Sequence, residues 1–198
     1  MLDLLDYRRR IHAMYSVIRE QQGSAAAFAY FKQTRDDLFR HHAQSALDDA
    51  QKAAFTGLPY FDYNPAYRVT AVLDRQVEQA QFVVDLDEDG RFTYQRIGQV
   101  HFTLPSGTGT LNVYWIEGYG GGIFLPFGDA TNKHTTYGAG RYLFDTIKGA
   151  DLGTVGDEMI LDFNFAYHPS CAYNVRWVCP LAAQENKLPF PIEAGERL

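Results

Sequence analysis

Two cysteines in 198 residues are too few for a disulfide framework. No stretch reaches the roughly 18 consecutive apolar residues of a membrane-spanning helix, so no membrane partner is expected. A basic stripe is missing too. Arg8, Arg9 and Arg10 form the one run of cations, and the solvated face of an amphipathic helix accounts for it. With a formal charge of −6 and a pI of about 5.4, no nucleic-acid partner is expected. The first residues carry Asp3 and Asp6 and lack an apolar core followed by a small-residue cleavage site. That argues against a signal peptide and for a cytoplasmic location. A dinucleotide fingerprint is also lacking. The run Gly118-Tyr119-Gly120-Gly121-Gly122 precedes a strand rather than a helix, reads as a hairpin loop, and leaves no cofactor expected.

What is abundant is aromatic: 13 Tyr, 14 Phe and 2 Trp, 15% of the chain. Aromatic side chains favour strands, and they line pockets for small molecules. Residues 1–55 read as a helical lead. Leu4, Tyr7, Ile11, Met14 and Ile18 recur at helical spacing, with Gly23 as a C-cap. Ser24 caps a second helix whose apolar face is Phe28, Phe31, Leu38 and Phe39. Ser45, with Asp48 behind it, opens a short third helix to about Ala54.

Residues 60–168 change grammar to short β-rich runs between turns. Strands are expected at Tyr67–Leu73, Phe82–Leu86, Ile123–Phe127, Gly140–Ile147 and Met159–Phe165, with a turn at Asp87–Gly90. Phe92–Leu104 is too long for one strand and is expected to break near Gly98. Thr110–Glu117 is apolar on both faces, which marks a central, covered strand. Residues 169–198, with Pro180, Pro189 and Pro191, read as an extended tail wrapping the body. The expectation is one domain, mainly β (α+β overall): an antiparallel β-sandwich or half-open barrel with N-terminal helices. A homodimer is left open.

Chemistry concentrates late in the chain. Arg141 lies just beyond Gly138 and Gly140, and its rigid fork suits a carboxylate or phosphate; pairing with Asp129, Asp145 or Asp162 is the structural alternative. Asp162 and Asn164 would share one face of a strand, with Phe163 and Phe165 on the other. Cys171 has three readings. It is a nucleophile with His168 as base, a metal ligand with His168, Cys179 and Asp162, or a structural thiol that is buried or disulfide-bonded to Cys179. The structural reading leads, and no metal is expected. His41, His42, His101 and His134 have no spacing that implies ligation or catalysis.

Several motifs run in one order from about Asp36 to the C-terminus. They include Phe55-Thr56-Gly57-Leu58, Tyr67-Arg68-Val69, Phe124-Leu125-Pro126-Phe127 with Asp129 and Thr131, and Tyr137-Gly138-Ala139-Gly140-Arg141-Tyr142-Leu143. Leu161-Asp162-Phe163-Asn164 with Ala166-Tyr167, Cys171-Ala172-Tyr173, Cys179-Pro180-Leu181 with Glu185-Asn186, and Ala194-Gly195-Glu196 complete them. In these the chain resembles an uncharacterised bacterial and archaeal family, a domain of unknown function. Two positions depart from that pattern: His168 stands where Asn is usual, and Ala182-Ala183 replaces a proline pair. The resemblance implies no activity. It implies a polar cluster of Arg141, Asp162, Asn164, Tyr167, Cys171 and Tyr173, with Glu185 and Asn186 brought near by the tail.

The leading functional expectation is a small-molecule-binding β domain. Its aromatic pocket uses Arg141, Tyr142, Asp162, Asn164, Tyr167 and Tyr173, with Arg141 as anion anchor. The alternatives are a hydrolase-type enzyme using Cys171 or an Asp162-centred acid/base site, and a structural or protein-interaction domain.

Overall fold

The computed structural model describes residues 1–85 and 91–198. The turn expected at Asp87–Gly90 lies outside them. Three helices open the chain: α1 (Leu2–Glu20), α2 (Ala25–His41) and α3 (Asp49–Ala54). The strands among the described residues are β1 (Arg68–Asp74), β2 (Gln81–Asp85), β3 (Arg91–Leu104), β4 (Gly107–Ile116), β5 (Gly122–Phe127), β6 (Arg141–Asp145), β7 (Thr154–Val155) and β8 (Glu158–Asp162). All their pairings are antiparallel, and the order is β6-β5-β4-β3-β1-β8-β7, with β2 also on β3. This single sheet curves into a half-barrel carrying the N-terminal helices, so the half-open barrel is the architecture present and the sandwich is not.

Local chemistry explains the helix ends. Gln22 and Gly23 take φ of 53° and 64°, and the Gly23 N–H reaches back to the Ile18 carbonyl at 2.9 Å. That left-handed stop satisfies an orphan carbonyl of α1. Ser24 then accepts from the Ala27 N–H at 3.2 Å and starts α2. The cap of α3 is Asp48, not Ser45. Asp48 Oδ1 accepts from Gln51 N at 2.8 Å, and Gln51 Oε1 accepts from Asp48 N at 2.9 Å. The Ser45 hydroxyl instead donates to the Phe39 carbonyl at 2.6 Å.

The long strand β3 bends without breaking. Its register with β4 shifts between Arg96 and Gly98, a bulge at the point where β3 changes partner from β2 to β1. A Cβ at Gly98 would stand 2.6 Å from the Asp74 carbonyl oxygen and from Leu73 Cδ1, so only glycine permits the crossing.

The strand expected at Met159–Phe165 stops at Asp162. Phe163–Phe165 is a 3₁₀ turn, because the Asp162 side chain accepts the Asn164 N–H and so competes with the ladder. The expected alternation of polar and apolar faces is therefore lost, and Phe163, Asn164 and Phe165 are all buried.

The apolar faces of α1 (Ile11, Met14, Tyr15, Ile18) and α2 (Phe28, Phe31, Leu38) meet Leu111, Val113, Leu125, Leu143 and Leu161 in the main core. Behind β4 a second cluster, Tyr94, Tyr114, Ile116, Phe124 and Tyr142, covers its other face. The tail wraps this body. Leu188 N–H bonds the Gly128 carbonyl at 2.9 Å, and Arg197 N–H bonds the Pro59 carbonyl at 3.0 Å.

Candidate functional site

Arg141 points inward and is completely buried. Its Nη2 donates to Asp129 Oδ2 and to the Ile192 carbonyl, both at 2.8 Å, and its Nη1 donates to the carbonyls of Ala194 and Glu196. Phe127 lies under the guanidinium at 5.2 Å. Only Nε lacks a hydrogen-bond partner. The expected anion anchor thus spends its charge on Asp129 and on three tail carbonyls: it fastens the tail. Asn186 does the same farther back. It accepts from Asn112 N–H at 2.9 Å and donates to the Asn112 and Pro126 carbonyls at 2.9 and 2.8 Å. Glu185 beside it faces solvent.

The Glu196 side chain organises a second network. Arg35 Nη2 donates to its Oε2 at 2.7 Å, as does the His168 backbone N–H at 3.0 Å, and the Tyr173 hydroxyl donates to Oε1. Arg35 is sandwiched by aromatic rings, with Tyr167 at 5.0 Å and Phe39 at 5.3 Å. Arg35 was not singled out from sequence, and Glu196 was named only as part of a resemblance motif. A signal existed for the arginine, since Arg35 continues the apolar stripe of Phe28, Phe31 and Leu38. A small cavity adjoins this network, lined by Tyr7, Tyr15, Arg35, Tyr142, Lys148 and Tyr167. Of the expected aromatic pocket it holds Tyr142 and Tyr167, and at about 50 Å³ it has room for a few waters. The Tyr142 hydroxyl is already spent on the Pro180 carbonyl.

The Cys171–His168 dyad does not form. His168 Nε2 accepts from Tyr137 N–H at 3.2 Å, and Nδ1 lies 3.7 Å from Glu196 Oε1. Burial, ahead of the opposing Glu196 charge, pushes the imidazole down to about 4. The Cys171 sulfur instead accepts from the Tyr137 hydroxyl at 3.8 Å. The two cysteines are free and half-buried. Interaction between the two thiols pushes Cys171 up and Cys179 down. His168, Cys171 and Cys179 do not converge as ligands. Among the described residues no three His, Cys, Asp or Glu side chains are grouped to hold a metal ion.

Asp162 occupies a different place. It is 1% exposed, with Oδ1 accepting from Asn164 N at 3.1 Å and Asn164 Nδ2 at 2.9 Å. Asn164 is locked in turn to the backbone of Asn64: Oδ1 accepts its N–H and Nδ2 donates to its carbonyl, both at 2.9 Å. Oδ2 of Asp162 has no hydrogen bond. Arg68 Nε stands 3.5 Å from it, close enough to attract but outside good hydrogen-bond geometry. Burial pushes the carboxyl up to about 6, against Asn164 and Arg68, which pull it down. Gly23 closes over the pair: a Cβ there would fall 2.5 Å from Asp162 Oδ2 and 3.0 Å from Arg68 Nε.

This carboxyl lines a cleft of about 410 Å³, within the size range of small-molecule sites. The end of α1 gives Ile18, Arg19, Gln22 and Gly23; β1 gives Arg68; residues 152–155 and Ile160 form the facing wall. The sequence-predicted cluster is thus divided. Asp162 and Asn164 sit at this cleft, Arg141 at the tail, Tyr173 on Glu196, and Cys171 with Cys179. The cleft residues Arg19, Gly23 and Arg68 were missed, because only tertiary folding brings α1 and β1 to Asp162.

The chain belongs to the family described as Protein of unknown function (DUF1684), whose model matches residues 53–197. No curated protein matches it. Among solved structures it is similar to the solution NMR structure of the uncharacterized protein from gene locus rrnAC0354 of Haloarcula marismortui. The two share 27% identity with a TM-score of 0.61, over 91% of this chain and 97% of that one. Arg68 and Asp162 fall inside the matched family segment, whereas the α1 wall of the cleft precedes it. No helix is long and apolar enough to cross a membrane among the described residues.

Proposed function

We propose that this domain binds a small amino or hydroxy carboxylic acid in the Asp162 cleft. One observation carries the reading: Asp162, whose buried Oδ2 has no hydrogen bond, belongs to the wall of a cleft large enough for such a molecule. Leaving such an oxygen unpaired costs about 1–3 kcal/mol or more. An amino or hydroxyl group of a ligand supplies the missing donor. Arg68 and Arg19 supply positive charge for the ligand's carboxylate, and Ile18, Leu152 and Ile160 receive a short apolar chain. The arginine anchor assigned from sequence to Arg141 passes to Arg68.

Calorimetric titration with α-amino and α-hydroxy acids tests this. The parent binds at least one of them. Asp162→Asn and Arg68→Met each weaken that binding tenfold or more, a loss of about 1.4 kcal/mol or more. A parent that binds none, or variants that bind as the parent does, overturn it.

A carboxyl titrating near 6 also suits proton transfer to or from such a ligand, which favours an enzymatic version with Asp162 as general acid or base. That version predicts turnover whose pH profile carries an apparent pKa near 6, lost in Asp162→Asn.

A further inference from the structure

The middle of α1 lines a second groove, apart from the Asp162 cleft. Residues 8–16 of the helix flank it on one side, and the 3₁₀ turn Thr146–Lys148 after β6 flanks it on the other, around a space of about 550 Å³. Turn and helix come close at Gly149, whose φ is 90°. A Cβ there would stand 3.3 Å from the His12 Cα and N, so a bare glycine suits this approach.

The fold divides the run Arg8-Arg9-Arg10. Arg10 pairs with Asp37 of α2. Arg8 and Arg9 line the groove, are exposed, and make no side-chain ion pair or hydrogen bond among the described residues. His12 and Lys148 line it with them, and no carboxylate is among its lining residues. The Lys148 ammonium lies 3.4 Å from Oδ2 of Asp145, a carboxylate that is itself buried. The hydroxyls present are already used: Ser16 Oγ donates to Glu20 Oε1 at 3.1 Å, and Thr146 Oγ1 accepts the Ile123 N–H at 2.8 Å. Ile147, 37% exposed, adds apolar surface. In a chain of formal charge −6, this is a local concentration of cations, and two of its guanidinium groups have no protein partner to neutralise them. Guanidinium forks match phosphate oxygens, and charge-assisted hydrogen bonds to phosphate are among the strong ones.

We propose that this groove binds a phosphorylated small molecule carrying two or more negative charges. Arg8 and Arg9 hold its phosphates from α1, Lys148 holds them from the turn, and Ile147 receives part of its carbon skeleton. The volume is within the range of small-molecule sites, and the net negative charge of the whole chain disfavours a long polyanion.

Calorimetric titration of the whole protein with inorganic pyrophosphate and with adenosine diphosphate tests this. The parent binds at least one of them, and the binding weakens as salt is raised. Arg8→Gln/Arg9→Gln weakens it roughly tenfold or more. The melting temperature of that variant stays at the parent's value, since neither side chain loses a partner. Arg75→Gln/Lys52→Gln removes the same charge outside the groove and binds as the parent does, and so does Asp162→Asn. A parent that binds neither probe overturns the proposal. So does an Arg75/Lys52 variant weakened as much as the Arg8/Arg9 variant, because net charge alone would then explain the binding. Loss of binding in Asp162→Asn would put the phosphate in the other cleft and overturns it as well.

Discussion

Asp162 is held where its charge is unfavourable, and the sign of the effect can be worked out. The carboxyl titrates at 3.8 when unperturbed and at about 6 in the fold. Below about pH 4 both states hold the proton and nothing is lost. Between these values the unfolded chain releases a proton that the folded chain keeps, so stability falls as pH rises. Above 6 the penalty is complete, about 3 kcal/mol for a shift of this size in a group so deeply buried. Asp162→Asn is therefore expected to stabilise the fold by about 2–3 kcal/mol near pH 8 and by nothing near pH 4, read from urea unfolding at both. A variant less stable than the parent at both would show that the carboxyl carries no such penalty.

Gly23 gives a second prediction at this scale. It combines φ of 64° with a Cβ position that collides with Asp162 and Arg68. Gly23→Ala is expected to lower stability by about 1–3 kcal/mol, checked by thermal melting, and to impair ligand binding in the cleft. Asp162 was legible in the sequence because its polar neighbour Asn164 follows at once. Gly23 was legible only as a helix stop. That it also packs on a carboxylate required the tertiary contact.

Among the elements, the C-terminal tail is held by charge as much as by apolar contact. Arg141 and Asp129 are both buried, and Arg141 reaches three tail carbonyls. Removing one partner strands the other charge away from water. Asp129→Ala is expected to cost about 3–5 kcal/mol in urea unfolding, and to free the tail to limited proteolysis near residues 189–198. A loss below about 1 kcal/mol would mean the clamp does not hold the tail.

The tail's prolines set the expectation of an extended segment; in the structure it carries 3₁₀ turns at Ser170–Ala172 and Gln184–Asn186 and hydrogen-bonds the Gly128 and Pro59 carbonyls. Its anchors Asn186 and Glu196 stood out only through the family resemblance, since their residue types alone say nothing of the partners that folding brings to them. Two strands went differently from expectation for a shared reason. Alternation of side chains cannot reveal a bulge at Gly98, nor a carboxylate that captures the next turn's N–H at Asn164.

At the scale of the whole molecule, helices and half-barrel share one core, and the cleft lies on the seam between them. Fold class was legible because helical spacing gives way to short β-rich runs near residue 60. The choice between sandwich and half-barrel was not, because sheet curvature depends on where β3 exchanges partners. Of the residues named from sequence, the structure separates two. Asp162 lies at the proposed cleft, whereas Arg141, the residue singled out most strongly as a ligand anchor, is consumed in holding the fold.

The central claim is that ligands enter at the α1–β8 seam. Two-dimensional ¹⁵N NMR of the parent, recorded as an amino or hydroxy acid is added, tests it most directly. The account predicts saturable shifts of amides in residues 18–23, 152–155 and 160–164, absent in Asp162→Asn. Shifts centred elsewhere, or none across the series of acids, would contradict it.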